Sequence, residues 1–273
     1  MYNSTNFVKS IYIFQFYGII KETKKERFTM ASEKFSVKFA ETEEEKLAVY
    51  RLRYQDMLLE FNKDANNQDG LDITEYDEYA KIILCKDNDT GEVVGTYRFI
   101  TSNDLPLGKR FLCEDEFCID GLKATGETIV ELSRAVIKKE YRNTTVLMHL
   151  LGFVVKYILD NGYRFTIGEA SFMGTDKSLY QKEFSYLAHY HAVDESFSIK
   201  ANEEKQVEIL PKEELDERSL KRSLPTLIRV YMEMGSKFSK DSFTDWEFGS
   251  VDVFVLLDRE NCNLNYIRRI FRF

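Results

Sequence analysis

Residues 128–171 read TIVELSRAVIKKEYRNTTVLMHLLGFVVKYILDNGYRFTIGEAS. A β-branched, apolar run from Thr128 to Ile137 predicts a strand. The polar turn Tyr141-Arg142-Asn143-Thr144 follows, and a helix is expected from about 145 to 160, stopped by Asn161-Gly162. That helix is apolar at nearly every position from Val146 to Val155, which predicts burial on more than one side. Phe165 to Ser171 supplies the next strand, so strand, helix and strand form a βαβ-like unit, right-handed if the strands are parallel neighbours.

Working upstream, Lys81–Lys86 and Glu92–Thr101 flank the turn Asp87-Asn88-Asp89-Thr90-Gly91 and read as a β-hairpin. Thr42 followed by Glu45 is a capping box. Apolar residues Leu47, Tyr50, Tyr54, Met57 and Phe61 recur at helical spacing behind it, so an amphipathic helix is expected from about 43 to 62. Asn62–Gly70 suits a loop. Downstream, a polar stretch from Lys200 to Arg222 precedes a helical pattern at Leu224–Phe238 and a buried strand at Val251–Leu257. No internal repeat is present.

The chain has 273 residues, 44% hydrophobic and 31% charged, with three prolines, and reads as one domain with additions from about residue 200. Residues 1–30 read as a leader, either disordered or not translated, because Met30 directly precedes the first stretch that fits a domain; the bland reading of the same residues is a surface helix. Phe7–Ile20 is the most apolar part of that leader. Lys9 interrupts it and it falls short of the ~20 residues that span a bilayer. Cys85, Cys113, Cys118 and Cys262 lack CxxC spacing, and reduced thiols in a cytoplasmic compartment are the simplest reading. Net charge is −8, falling to −11 without the leader, which disfavours nucleic acid and means that an acidic protein partner would need local basic groups.

Glu131 and Arg134 lie in an otherwise apolar strand, where a charge needs a partner or a task. Strict alternation puts Glu131 and Ser133 on one face and Arg134 on the other; a β-bulge would re-aim one of them. A glutamate at the edge of an apolar cleft can act as general base, directly or through water, whereas the structural alternative is a buried ion pair with Arg98 or Asp77. The turn Tyr141–Thr145 offers a helix N-terminus for a phosphate, although Asn143 or Thr144 reads equally well as a cap. His149, His189 and His191 read as core residues, no group has metal-ligand spacing, and there is no Gly-x-Ser-x-Gly elbow.

Arg53-Tyr54, Glu75-Tyr76-Asp77, Gly95-Thr96-Tyr97-Arg98 and Glu131-Leu132-Ser133-Arg134 occur in the order found in acyl-homoserine-lactone synthases and in related amino-acid N-acyltransferases. The chain resembles the second group, the hemolysin-like ornithine-lipid enzymes, over a longer span, roughly 45 to 260. The added matches are Tyr141-Arg142, Ala170–Asp176, Leu224-Pro225 and the Asp252–Asp258 strand. Met57 stands where lactone synthases usually carry an aromatic residue, Thr74 where an acidic one is common, and Lys81 where the lipid enzymes often have histidine.

The resemblance implies an α/β GNAT-like fold, a central mixed twisted sheet flanked by helices. It implies transfer of a fatty or 3-hydroxy fatty acyl group from acyl carrier protein to the α-amino group of an amino acid, ornithine or glycine-like, giving a lyso-aminolipid. Glu131 would be the base, and Arg53, Asp77, Arg98 and Arg134 the charged cleft that binds the acceptor. No cofactor is bound on this reading; the phosphopantetheine thioester is a co-substrate. Lys138, Lys139, Arg142, Asn143 and Thr144 are the candidate donor contacts, with Lys109 and Arg110 as a second basic group. The basic Ile267–Phe273 tail is either a peripheral contact with anionic membrane or a short exposed end. The rival readings are a lactone synthase using S-adenosylmethionine, a GNAT enzyme using acyl-coenzyme A, and a non-catalytic carrier-binding protein.

Overall fold

The computed structural model describes residues 29–271, apart from 64 and 66. Phe7–Ile20 and nearly all of the leader therefore lie outside the described residues. Thr29–Ala31 (β1) pairs with Phe35–Phe39 (β2), so a strand crosses the boundary expected at residue 30.

The helix expected over 43–62 forms as Glu43–Arg53 (α1), a π turn at Tyr54–Leu58, and Leu59–Phe61 (α2); Thr42 caps it by accepting the N–H of Glu45. Such π turns favour functional sites, and this one carries Met57 inward. The hairpin is Lys81–Asp87 (β3) and Val93–Thr101 (β4). Phe117–Cys118 (β5) and Asp120–Lys123 (α3) lead to Ile129–Ile137 (β6), Val146–Asn161 (α4) and Phe165–Met173 (β7). Gly162, at φ 71°, ends α4 as read from sequence. Gln181–Tyr190 (α5), Lys200–Ala201 (β8), Glu217–Ser223 (α6), Thr226–Met234 (α7), Lys237–Phe238 (β9), Phe243–Asp245 (β10), Ser250–Asp258 (β11) and Leu264–Phe271 (α8) complete the order.

Among the described residues the main sheet runs β1-β2-β3-β4-β6-β7-β11-β10, with β9 on β11, and β6–β7 is its one parallel pair. Alternation along β3 explains its unbroken Ile82-Ile83-Leu84-Cys85 run. Ile83 and Cys85 pack beneath α4 with Phe153 and Val154, while Ile82 and Leu84 pack on the other face with Val49 and Leu52 of α1. All nine residues of β4 are buried for the same reason. Gly95 lets α4 settle on that strand, since a Cβ there would stand 2.8 Å from Val146 Cγ1.

The C-terminal end is no loose tail. Ile267 is 2% exposed against Val155 and Met234, so α8 turns its apolar side to the core; Arg272 and Phe273 lie outside the described residues. Among the described residues no helix is long and apolar enough to cross a membrane.

Candidate active site

Strands β6 and β7 pair only over Ile129–Glu131 and Phe165–Ile167, then separate. Gly168 sits where they part: a Cβ there would come within 2.5 Å of the Leu132 carbonyl oxygen. The wedge beyond holds three contiguous cavities. The innermost is apolar and lies between Leu151, Val154 and Ile158 of α4 and Val255 and Leu257 of β11. A central cavity is bounded by Met57, Ser133, Arg134, Ser171 and Tyr231 and shares Leu132, Glu169 and Tyr231 with the first. The outer one opens past Tyr97 and Leu147 to Arg142 and Asn143 at the start of α4.

The bulge allowed for in the sequence is present. Thr96 pairs with Val136 while Arg98 pairs with Ser133, so β6 carries an extra residue, and Arg134 adopts φ 52°. This turns Arg134 into the central cavity, where its Nε meets Asp72 Oδ2 at 3.1 Å and its guanidinium lies over the Phe248 ring.

Behind Arg134 the other expected charges assemble. Arg53 donates to Asp77 (2.7 Å), whose second oxygen is 3.6 Å from Arg98. Arg98 also donates to Thr74 Oγ1 (2.7 Å) and Ser133 Oγ (2.9 Å), so Thr74 serves as a hydrogen-bond acceptor in place of an acidic residue. Both arginines are fully buried, and Arg53 Nε, Arg53 Nη2 and Arg98 Nη2 have no partner. Burial, with Arg134 nearby, lowers the Arg98 guanidinium to about 10. Burial pushes the Asp77 carboxyl up, but Arg53 and Arg98 outweigh it and hold the group below its ordinary range.

Glu131 is placed differently from the base that the sequence suggested. It is 1% exposed, and its oxygens accept the backbone N–H groups of Leu112 (3.0 Å) and Cys113 (2.8 Å). It lines none of the three cavities. The structural alternative named Arg98 or Asp77 as its partner, whereas the partners found are main-chain donors. The acidic residue that lines both the apolar and the central cavity is Glu169 of β7. Its Oε1 is buried without a partner, and burial, with Asp252 and Glu131 adding repulsion, pushes its carboxyl well above the ordinary value. Sequence reading passed over Glu169 inside TIGEAS, although a lone acid in a buried strand is the same kind of signal that singled out Glu131.

On the donor side, Arg142 forms a two-pronged pair with Glu60 (2.9 and 2.5 Å) and donates to the Asp56 carbonyl. Lys138 pairs with Glu92, and the Lys139 N–H donates to Asp56 Oδ1 (2.9 Å). Lys109 and Arg110 pair with Glu75 and Asp115. The expected basic patches are thus interleaved with acids. Thr144 Oγ1 donates to the Tyr141 carbonyl (2.6 Å) and receives the Val146 N–H at a long 3.4 Å, leaving Asn143, beside the paired Arg142, to line the outer cavity from this turn. The three histidines are structural: His149 Nδ1 lies 2.8 Å from the Thr145 carbonyl, His189 Nε2 2.7 Å from that of Leu210, and His191 packs by Tyr186.

The model of the acetyltransferase (GNAT) domain matches residues 52–152, which hold α1's end, the β3–β4 hairpin, β6 and the front of α4. The chain is a GNAT-fold acyltransferase. Curated relatives of this acyltransferase include an L-ornithine N(alpha)-acyltransferase from Rhodobacter capsulatus, 27% identical over 83% of this chain and 90% of the relative. A protein of the same name from Rhizobium meliloti is 25% identical over 76% and 73%. Among solved structures, an N-acyl amino acid synthase from uncultured soil microbes is 8% identical, covers 85% of this chain and 97% of its own, and superposes with a TM-score of 0.49.

Beyond Glu169, Glu116 carries a buried oxygen without a partner; burial and the Glu169, Asp252 and Asp245 carboxylates push it up to about 11. Its unfolded-state value is 4.5, so as pH rises above that point the unfolded acyltransferase sheds this proton first and folding loses stability until about pH 11. Glu116→Gln should remove that slope. Thermal melts from pH 5 to 9 should show the variant gaining on the native protein as pH rises; a constant difference would mean the site is not strained by charge.

Proposed function

We propose that this enzyme moves a fatty or 3-hydroxy fatty acyl group from the thioester of acyl carrier protein to the α-amino group of an amino acid, L-ornithine being favoured by the names of the relatives, to give a lyso-aminolipid. The observation that carries this reading is that Glu169 lines both the apolar cavity and the Arg134-bearing cavity. An acetyl group would leave the Leu151, Val154 and Ile158 wall unfilled, whereas each buried methylene of a longer chain adds about 0.8 kcal/mol.

In the proposed mechanism the pantetheine arm enters through the outer cavity, with Asn143 and the amides that open α4 nearest its phosphate. Paired with Glu92 and Glu60, Lys138 and Arg142 contribute shape rather than net positive charge, so the arm itself carries most of the recognition. The acyl chain lies in the wedge, where main-chain amides beyond Glu131 polarise the carbonyl. Arg134, backed by Arg98, Arg53 and Asp77, holds the acceptor's carboxylate. Glu169 takes the ammonium proton, the amine adds to the thioester, and the tetrahedral intermediate expels the carrier thiol. Glu131 is the positioning residue that ties the Leu112–Cys113 turn to β6, and Leu112 lines the cleft.

The test is mass spectrometry of lipids from cells expressing the native protein, Glu169→Gln or Glu131→Gln. New N-acyl amino acids that vanish in Glu169→Gln are the expected result. A lactone product dependent on S-adenosylmethionine, or turnover with coenzyme A thioesters alone, would replace this reading with the corresponding rival.

A further inference from the structure

Two buried carboxylates and a half-buried one lie beside Ser171 and Glu169, which line the central cavity. Across β7 and β11, Ser171 stands opposite Asp252 and Glu169 opposite Phe254; across β10 and β11, Asp245 stands opposite Ser250. Glu169, Ser171, Asp252 and Asp245 therefore share one face of the sheet. Glu116, the residue before β5, closes the group: one carboxylate oxygen each of Glu116, Asp245 and Asp252 lie within 4.8 Å of one another. Asp252 is 3% exposed and Glu116 9%. Asp252 Oδ2 accepts the Ser250 hydroxyl (2.7 Å), but Asp252 Oδ1, Glu116 Oε2 and Glu169 Oε1 are buried without partners. Buried acids normally come with a counter-charge. Among the described residues, no lysine or arginine forms an ion pair with these four; the nearest positive influence is Arg134, on the cleft side.

We infer that Glu116, Asp245 and Asp252, reached from the cleft past Glu169, form the subsite for the side-chain cation of a diamino acid acceptor, and so select a dibasic amino acid over a neutral one. This rests on the amine-acylation reading above. An α,ω-diamino acid carries one carboxylate and two ammonium groups. Arg98 and Arg53 stand behind Arg134 with unpartnered guanidinium donors, and the unpartnered carboxylate oxygens of Glu116 and Asp252 lie behind Glu169 and Ser171 of the central cavity. The α-ammonium then falls at Glu169, and the terminal ammonium supplies the counter-charge that the three acids lack. Crowding holds a proton on this cluster: burial and the neighbouring carboxylates push Glu116 up to about 11, and burial pushes Asp252 up to about 6 against the hydroxyls of Ser171 and Ser250. The incoming cation takes the place of a shared proton, which leaves to solvent.

Steady-state kinetics should compare ornithine with norvaline, the same chain without the terminal amine, using a 3-hydroxyacyl carrier protein as donor. The native enzyme should prefer ornithine by about 100-fold or more in kcat/KM. Asp252→Asn should raise KM for ornithine at least tenfold with kcat little changed, leave norvaline within twofold, and melt at a higher temperature than the native protein because repulsion is relieved. Equal use of ornithine and norvaline would overturn the inference while leaving acyl transfer intact. Absence of any acylated amine would sink the acyltransfer reading instead, so melting curves of the native protein and Asp252→Asn are run with each amino acid alone. A melting shift produced by ornithine, absent with norvaline and lost in the variant, supports the subsite without turnover; no shift overturns it. A shift produced by magnesium, manganese or calcium after EDTA treatment, with none from ornithine, makes the cluster a metal site and also overturns it.

Discussion

Glu169→Gln should lower kcat by about 10²–10⁴-fold, the usual contribution of a positioned general base, while the variant keeps its fold and its affinity for the acyl donor. The glutamine fills the same volume but cannot take the ammonium proton. The pH profile gives a second readout. Because burial, Asp252 and Glu131 raise the Glu169 carboxyl above its ordinary 4.5, the protonated, inactive form persists to higher pH; kcat should climb with pH along a limb above that value. The variant should lack this limb. Glu131→Gln should behave in the opposite way. An amide can accept only one of the Leu112 and Cys113 N–H groups, so the other is left facing an NH2 at a cost of about 1–3 kcal/mol in stability, with kcat within about tenfold. A collapse of kcat in Glu131→Gln with a stable fold, beside an active Glu169→Gln, would return the base to Glu131.

Asp77→Ala should destabilise the protein by about 3–5 kcal/mol, because it removes the carboxylate shared by two buried guanidinium groups. Arg53 and Arg98 are shut off from bulk solvent, and each already carries a donor without a partner. The Thr74 N–H also loses its acceptor, Asp77 Oδ2 at 3.0 Å, which unties the turn at Glu75–Glu78. Denaturant titration measures this directly. A loss under about 1 kcal/mol would mean that the charge network is not what holds the cleft wall, and that Arg53 and Arg98 find other acceptors once Asp77 is gone.

Much of the fold was legible because local patterns carry it. The capping box at Thr42, the turn at Asp87–Gly91, the Asn161-Gly162 stop and the apolar periods of β6, α4 and β7 each depend on residues near one another in the chain. The π turn at Tyr54–Leu58 and the core-facing side of α8 were not legible, since both depend on what the helix packs against. The short strands β8, β9 and β10 escaped notice for the same reason: two or three residues hold no period of their own.

The site divides along the same line. By itself the sequence pointed to Glu131 and Arg134 as charges in an apolar strand, with Arg98 or Asp77 as partners, and the family resemblance joined Arg53 to them in one group; an ionised side chain among buried neighbours is informative wherever its partner lies. Only the tertiary structure decided how those charges are used. Glu131 spends its oxygens on a loop 18 residues upstream, Arg142 and Lys138 are matched by Glu60 and Glu92, and Glu116, Glu169, Asp245 and Asp252 meet although they come from four separate strands and turns. Pairing energies fall off over a few ångströms, and the distances that set them arise from strand register and helix packing across the whole chain.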